Sequence, residues 1–185
     1  KDSSRGKSEL TDNSGNKTSG LDKDYVTAWS YGLAESFTLV IPDFMGGKSG
    51  GSLDTDSETY QELKSRNIPN ARNIIKQVPI YWGKQPGQSG PVYVGAIMCF
   101  LFALGLFVVK GPMKWWLLIV TILSIMLAWG KHFMPLTDFF LDYVPLYNKF
   151  RSVTMTLVMA EFAIPLLGLL ALKEIVSGKL PDKEA

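Results

Sequence analysis

The sequence reads as an α-helical integral membrane protein, with three transmembrane helices behind a mixed loop region that takes up the first half of the chain. Two observations carry this. Charge is segregated: residues 1–91 hold 11 basic and 11 acidic side chains, whereas residues 92–129 hold only Lys110 and Lys114. Apolar runs then stand at 92–109, 115–130 and 153–172, each long enough to cross or nearly cross a hydrocarbon layer. The averages over 185 residues, 46% hydrophobic and 19% charged, blend these two halves. A net charge of +2 leaves no broad footprint for nucleic acid. One cysteine and one histidine exclude a disulfide framework and any multi-Cys or His-rich metal site.

Residues 1–20 are rich in Ser, Gly, Asn and Lys and can bury almost nothing, which predicts a flexible stretch. Asn16-Lys17-Thr18 within it is a glycosylation acceptor pattern, common by chance. Residues 21–31 bring in Tyr25, Trp29 and Tyr31. Residues 36–41 (SFTLVI) read as a short strand or buried extended run, ended by Pro42-Asp43. A glycine loop follows at 46–51. Its Gly-Gly-Lys-Ser lacks the first glycine of a phosphate loop, since Pro42 stands there, so the motif does not predict nucleotide binding. Thr55 and Glu58 fit a capping box that opens a short helix to about Arg66, with Tyr60 and Leu63 on one side. A second short helix is expected from Pro69, showing Ala71, Ile74, Ile75 and Val78 on one face and ending before Pro79.

The first apolar run, 92–109, carries no charge and would span ~27 Å as a helix; Cys99 within it is a small apolar filler. Residues 110–114 form a tight polar turn. The second run, 115–130, has Trp115, Trp116 and Trp129 at its ends, where indoles favour the membrane interface. Residues 131–152 place Leu136, Phe139, Phe140, Tyr143 and Tyr147 at three- and four-residue spacing, with Asp138 and Asp142 opposite. This predicts an amphipathic interfacial segment interrupted by Pro145. The third run, 153–172, contains Glu161 and Pro165. A carboxylate in lipid is costly, so Glu161 should face the bundle with a partner or be protonated. Pro165 should kink the helix at the Glu161 carbonyl. Three spans put the chain ends on opposite sides. Five cations flank the membrane on each side, so charge does not orient it, but a long polar loop can lie outside regardless. The chain opens on Lys with its polar half first, and the expectation is an interior portion of a longer membrane protein.

Several segments occur in order along nearly the whole chain: Arg5-Gly6-Lys7-Ser8-Glu9-Leu10, residues 22–32 (DKDYVTAWSYG), 39–47 (LVIPDFMGG), Tyr81-Trp82-Gly83, 89–95 (SGPVYVG) and 144–152 (VPLYNKFRS). No single one is specific. Together they resemble the YfhO family of bacterial multispanning membrane proteins, Bacteroidetes members in particular, whose chains are much longer. The resemblance implies a larger GT-C-like polytopic fold in the bacterial inner membrane. Residues 1–91 and 131–152 would then be periplasmic, and 110–114 and 173–185 cytoplasmic. It implies transfer of a sugar from a polyprenyl-phosphate carrier to a cell-envelope polymer. The implied partners are the lipid bilayer, the lipid-linked donor and the polymer acceptor. The family's usual catalytic acid lies in an early extracytoplasmic loop that these residues do not include, so no catalytic residue is carried over. No cofactor pattern is evident, and a divalent metal is left open.

Candidate site residues follow from chemistry at the membrane surface. Lys149 and Arg151, joined by Lys131 and His132, are suited to a donor phosphate, since Arg offers a fork of donors and Lys a point charge. The plainer reading pairs them with lipid head groups or with Asp138 and Asp142. Trp29, Tyr31 and Trp82 are candidates for stacking on sugar rings, or else pack the loop onto the helices. Glu35 and Asp43 are candidate acid partners for an acceptor hydroxyl. Glu161 with Pro165 in one span also fits a transporter or flippase subunit. A non-catalytic envelope protein is the third reading.

Overall fold

The computed structural model describes residues 21–48, 51–86, 92–149 and 152–178. The expectations placed on residues 1–20 and on Arg151 lie outside them. Among the described residues the fold is helical and no strand forms; extended contact is limited to the bridges Phe44–Gly46 and Gly46–Tyr81.

In the polar half, α1 (Lys23–Thr27) is capped by Asp22, whose Oδ1 accepts from Asp24 N at 2.9 Å and Tyr25 N at 3.2 Å. The extended run expected at 36–41 is corrected: Ala34–Leu39 is a 3-10 helix. Its aromatic and β-branched residues suit a strand, but local polar groups decide the matter. The Glu35 carboxylate accepts from Gly32 N, and Thr38 Oγ1 donates to Glu35 O at 2.6 Å. The capping box is corrected too. α2 (Glu58–Ser65) has Ser57 as its cap, with Oγ accepting from Tyr60 N at 3.3 Å, while Thr55 N donates to Asp54 Oδ1 at 2.6 Å. α3 (Ala71–Gln77) begins two residues after Pro69 because Asn70, in the left-handed region at φ 61°, interrupts the helix path. It ends before Pro79 as expected, and buries Ile75 but leaves Ile74 exposed.

The apolar half forms α4 (Ala96–Val108), α5 (Met113–Ala128), α6 (Met134–Tyr143) and α7 (Leu157–Val176). α4 is shorter than its apolar run because residues 92–95 are spent on the loop. Val94 N and Gly95 N both donate to Leu39 O, at 3.1 and 3.2 Å, and Thr38 Oγ1 donates to Val92 O at 3.1 Å. Gly95 takes φ 114°, a conformation few other residues adopt. The turn after α4 closes with Lys114 Nζ donating to Leu106 O at 2.7 Å. After α5 a 3-10 turn, Gly130–Phe133, redirects the chain, and Gly130–Tyr143 lies at 109° to α5. α6 follows its predicted spacing, yet its fully buried residues are Thr137 and Leu141. Leu136 and Phe140 line the core, and Phe139 and Tyr143 are exposed.

α7 runs as one helix through Pro165. With the preceding 3-10 turn it makes Val153–Val176, the one helix among the described residues that is by itself long and apolar enough to cross a membrane. α5 and the segment after it reach that length only as a bent pair, and α4 is shorter. α7 is also the central helix: it packs on α4 and on α5, which barely touch each other. Its buried stripe is rich in small residues, including Ala160, Ala163, Gly168 and Ala171, which lets neighbouring backbones approach. A Cβ at Gly105 of α4 would lie 2.8 Å from Leu167 Cγ and 3.0 Å from Leu167 O; one at Gly168 would lie 3.2 Å from Leu101 Cβ. Between α5 and α7 the tie is polar. Ser124 Oγ donates to Thr156 O at 2.6 Å, Thr156 Oγ1 donates to Ser124 O at 3.1 Å, and Ala160 N donates to Ser124 Oγ at 3.3 Å.

Gly105→Ala is expected to destabilise the chain by about 1–3 kcal/mol, the usual cost of overfilling a packed contact, and Gly168→Ala by less. Thermal unfolding in detergent measures both; equal shifts would show that α4 and α7 do not cross tightest at Gly105.

Candidate functional site

The polar half meets the apolar half at one end of α5. Helix ends leave carbonyls and N–H groups without intrahelical partners, and here residues 30–36 supply them. Tyr31 N donates to Ala128 O at 2.8 Å, and Lys131 N donates to Ser30 Oγ at 2.9 Å. Trp129 Nε1 donates to Ser36 Oγ at 2.8 Å. Gly130, at φ 45°, has no room for a side chain: a Cβ there would lie 2.6 Å from Val153 Cγ2 and would strike Ser30 Oγ. Val26 extends the junction into an apolar cluster with Leu127, Leu141, Tyr147 and Val153.

Glu35 is the most buried charged side chain among the described residues, at 1% exposed. Gly32 N donates to Oε2 and the Tyr81 hydroxyl donates to Oε1. Both neighbouring glycines make room for it. A Cβ at Gly32 would sit 2.7 Å from Oε2, and one at Gly83 would overlap Oε1 and the Tyr81 hydroxyl. Burial, then the hydrogen bond to Glu35, pushes the Tyr81 phenol well up from its ordinary value. Tyr31 is raised as well, first by burial, with the charge of Glu35 adding to it. Its hydroxyl lies 2.5 Å from Thr38 Oγ1, whose single proton goes to a backbone carbonyl, so Tyr31 is the donor in that pair. Glu35 therefore joins the Gly32 turn to the Tyr81 segment from below the surface.

The other sugar and acceptor candidates separate. Trp29 packs edge-on against Tyr25, with centroids 6.0 Å apart, and its Nε1 donates to Pro86 O at 3.2 Å. Tyr31 is buried against Ala128 and Leu157, the packing alternative. Trp82 is 79% exposed and offers an open aromatic face. Asp43 is exposed in the left-handed region at φ 54°, in the turn closed by Gly46 N donating to Asp43 O at 2.8 Å. That turn is joined to the Trp82 segment, since Trp82 N donates to Met45 O at 2.7 Å.

Of the phosphate candidates, Lys131 and His132 occupy the 3-10 turn after α5, and Lys149 ends the 3-10 turn Tyr147–Lys149; both lysines are exposed. His132 Nδ1 lies 3.0 Å from Tyr31 O and 3.2 Å from Trp129 O. Both partners are acceptors, so Nδ1 carries the proton, and Nε2 is the ring nitrogen left for a ligand. Of the two plainer alternatives for Lys149, lipid head groups or Asp138 and Asp142, the second is not what holds those carboxylates. Lys23 Nζ reaches Asp138 at 2.7 Å and Asp142 at 3.6 Å, tying α1 to α6. The hydrogen bond to Asp138 raises the Lys23 pKa despite the opposing effect of burial.

Two outcomes were open for Glu161, a partner inside the bundle or a protonated carboxyl; among the described residues it does not turn inward but is exposed, at the edge of the α7 stripe that includes buried Leu157, Ile164 and Gly168. The small side chains of that stripe close against α4 and α5 and leave no space for a carboxylate. Glu161 still lies near enough to Tyr31 for its charge to help keep that phenol protonated. Among the described residues no group of three or more His, Cys, Asp or Glu side chains gathers to hold a metal.

Sequence reasoning missed Tyr81, Thr38, Ser30 and the two glycines around Glu35. The one available signal was the spacing of Gly32 and Glu35, three apart, which lets a carboxylate reach back to an N–H as in half a capping box. No family model, no curated protein and no solved structure matches the chain.

Glu35→Ala would leave the Tyr81 hydroxyl proton and the Gly32 N–H without an acceptor, the hydroxyl oxygen keeping only Gln85 N as its donor, and is expected to cost about 1–3 kcal/mol in denaturant unfolding. A phenol whose pKa is raised on folding stabilises the fold fully below the unfolded value near 10 and ceases to do so as pH rises through the folded value. Alkaline titration followed by phenolate absorbance should show Tyr31 and Tyr81 ionising late, together with loss of the fold. Tyr81→Phe should remove one of these late phenolates; an unchanged late phase would show that Tyr81 is not held protonated.

Proposed function

We propose that this chain belongs to a multispanning membrane protein resembling the YfhO family, and that it takes part in moving a sugar from a polyprenyl-phosphate carrier to a cell-envelope polymer. In this reading α4, α5 and α7 are membrane elements. Residues 21–86 and α6 lie at the outer surface, and the turn after α4 lies at the inner one. The single observation that carries the reading is the junction at the end of α5. A polar loop region is fixed there by backbone and buried side-chain hydrogen bonds, at the level where Trp129 marks an interface. Lys131 stands on the turn at that level, suited to a lipid-borne phosphate, while the Nε2 lone pair of His132 is left to accept from a hydroxyl donor. The outward faces of α4, α5 and α7 support it too: Ile97, Phe107, Trp116, Ile119, Phe162 and Leu169 are all exposed, and large apolar side chains gathered on one surface mark a protein or membrane contact. Glu161, an exposed carboxylate on the helix that is by itself long and apolar enough to cross a membrane, is the observation behind transport as the second reading.

The test is transfer of labelled sugar from polyprenyl-phosphate donors into envelope polymer, using membranes that carry the wild-type chain or the Lys131→Ala, Lys149→Ala double variant. Loss of two charge-assisted phosphate contacts should lower transfer about tenfold or more, with folding verified by protease protection. No transfer by the wild type with any donor would overturn the reading. Loss of substrate flux in Glu161→Gln would then support transport.

A further inference from the structure

The loop region holds an open cavity of about 430 Å³, its polar side chains exposed, that plays no part in the junction at α5. This is within the size range of small-molecule sites. Residues 52–55 form one wall, and Arg72, Ile75 and Lys76 of α3 form the other. The walls are fixed to each other: Leu53 N donates to Ile75 O at 3.0 Å, and Ile75 is buried. Ser57 Oγ donates to Asp54 O at 2.6 Å, which sets the far end of the 52–55 wall against the start of α2.

Arg72 and Lys76 are four residues apart on α3, so their side chains lie on one side of it. The ion pairs among the described residues are Lys23 with Asp138 and Asp142, and Arg66 with Glu62; neither Arg72 nor Lys76 enters one. Arg72 Nε reaches the Tyr60 hydroxyl at 3.4 Å, which steadies the guanidinium without neutralising it. On the opposite wall Asp54 Oδ1 accepts from Thr55 N at 2.6 Å and from Thr55 Oγ1 at 3.3 Å. Its other oxygen is an acceptor for hydroxyl donors. The cavity thus sets two cations on one wall against a carboxylate and the Ser52 hydroxyl on the other. A bare anion would gain from the cations and be repelled by Asp54. A neutral polyol would gain from Asp54 and leave the cations unused. A molecule with an anionic group at one end and hydroxyls at the other satisfies both walls.

We propose that this cavity binds a small anionic sugar, with its phosphate or carboxylate on Arg72 and Lys76 and its hydroxyls donating to Asp54. The assignment stands on the cavity alone and goes beyond the sugar-transfer reading.

The test uses the whole chain in nanodiscs, titrated calorimetrically with glucose 1-phosphate, glucuronate, glucose and inorganic phosphate. The two anionic sugars should bind saturably, and glucose and inorganic phosphate at least tenfold more weakly. The Arg72→Gln, Lys76→Gln double variant should weaken glucose 1-phosphate binding tenfold or more with an unchanged melting temperature; Lys76→Gln alone should weaken it by less. Asp54→Asn should narrow the gap between glucose 1-phosphate and inorganic phosphate. The proposal is overturned by absence of saturable binding to the wild type, or by binding that Arg72→Gln and Lys76→Gln leave intact. Inorganic phosphate binding as well as glucose 1-phosphate would equally remove the sugar from the site.

Discussion

The last backbone groups of α5 cannot be satisfied within their own helix, and the polar half of the chain is arranged around completing them. Tyr31 N takes the Ala128 carbonyl, Ser30 takes the Lys131 N–H, and Thr137 Oγ1 donates to Gly130 O at 3.0 Å. Ser30, Tyr31, Ala128 and Thr137 are buried, so a bond withheld from them would leave a desolvated group without its partner. The requirement reaches into sequence: Gly130 must lack a side chain for Ser30 to approach, and Gly32 and Gly83 must lack one for Glu35 to fit. The 3-10 helix at Ala34–Leu39, the bridge to Tyr81 and the extended lead into α4 all hang from this seam.

Below the seam the logic changes from hydrogen bonding to close approach. α7 separates α4 from α5 and meets each by different means. Toward α4 it presents Gly168 and Leu167 to Leu101 and Gly105, where the contact is set by what is missing from the glycines. Toward α5 it uses the reciprocal pair of Ser124 and Thr156, which fixes the register of two otherwise uniform apolar surfaces. Large apolar side chains point mostly outward, so packing of the three helices on each other leaves much of their hydrophobic surface uncovered.

What could be read from the sequence divides along the same line. The helices in the three apolar runs, the turn at Gly111, the helical spacing around Phe140 and the end of α3 at Pro79 follow from periodicity and from Pro and Gly chemistry, which are local. The residues at 36–41 misled because β-branched side chains favour strands only when a partner strand exists, and none does among the described residues. Thr55 misled because Asp54 and Ser57 compete for the same donors. Glu161 faces outward because the face of α7 that meets its neighbours is made of small residues. Of the proposed site residues, His132, Lys131 and Tyr31 do meet at one junction, and Glu35 joins them through Tyr31 and Thr38; Trp82 and Asp43 share a separate turn. The Tyr81–Glu35 pair spans 46 positions in the chain, and no local pattern announces a contact of that range.

α4 covers 13 residues, about 20 Å of helix, against a hydrocarbon layer of about 30 Å. The residues that would have extended it are committed to Leu39. If α4 lies in a bilayer, as the proposed function has it, the lipid around it would meet a short wall on one flank and the much longer α7 beside it. Lipid next to Ile97 and Phe107 would then have to thin to match, drawing the head groups of the two leaflets toward each other along that flank. A polar head group crossing there would travel through less hydrocarbon than beside α7.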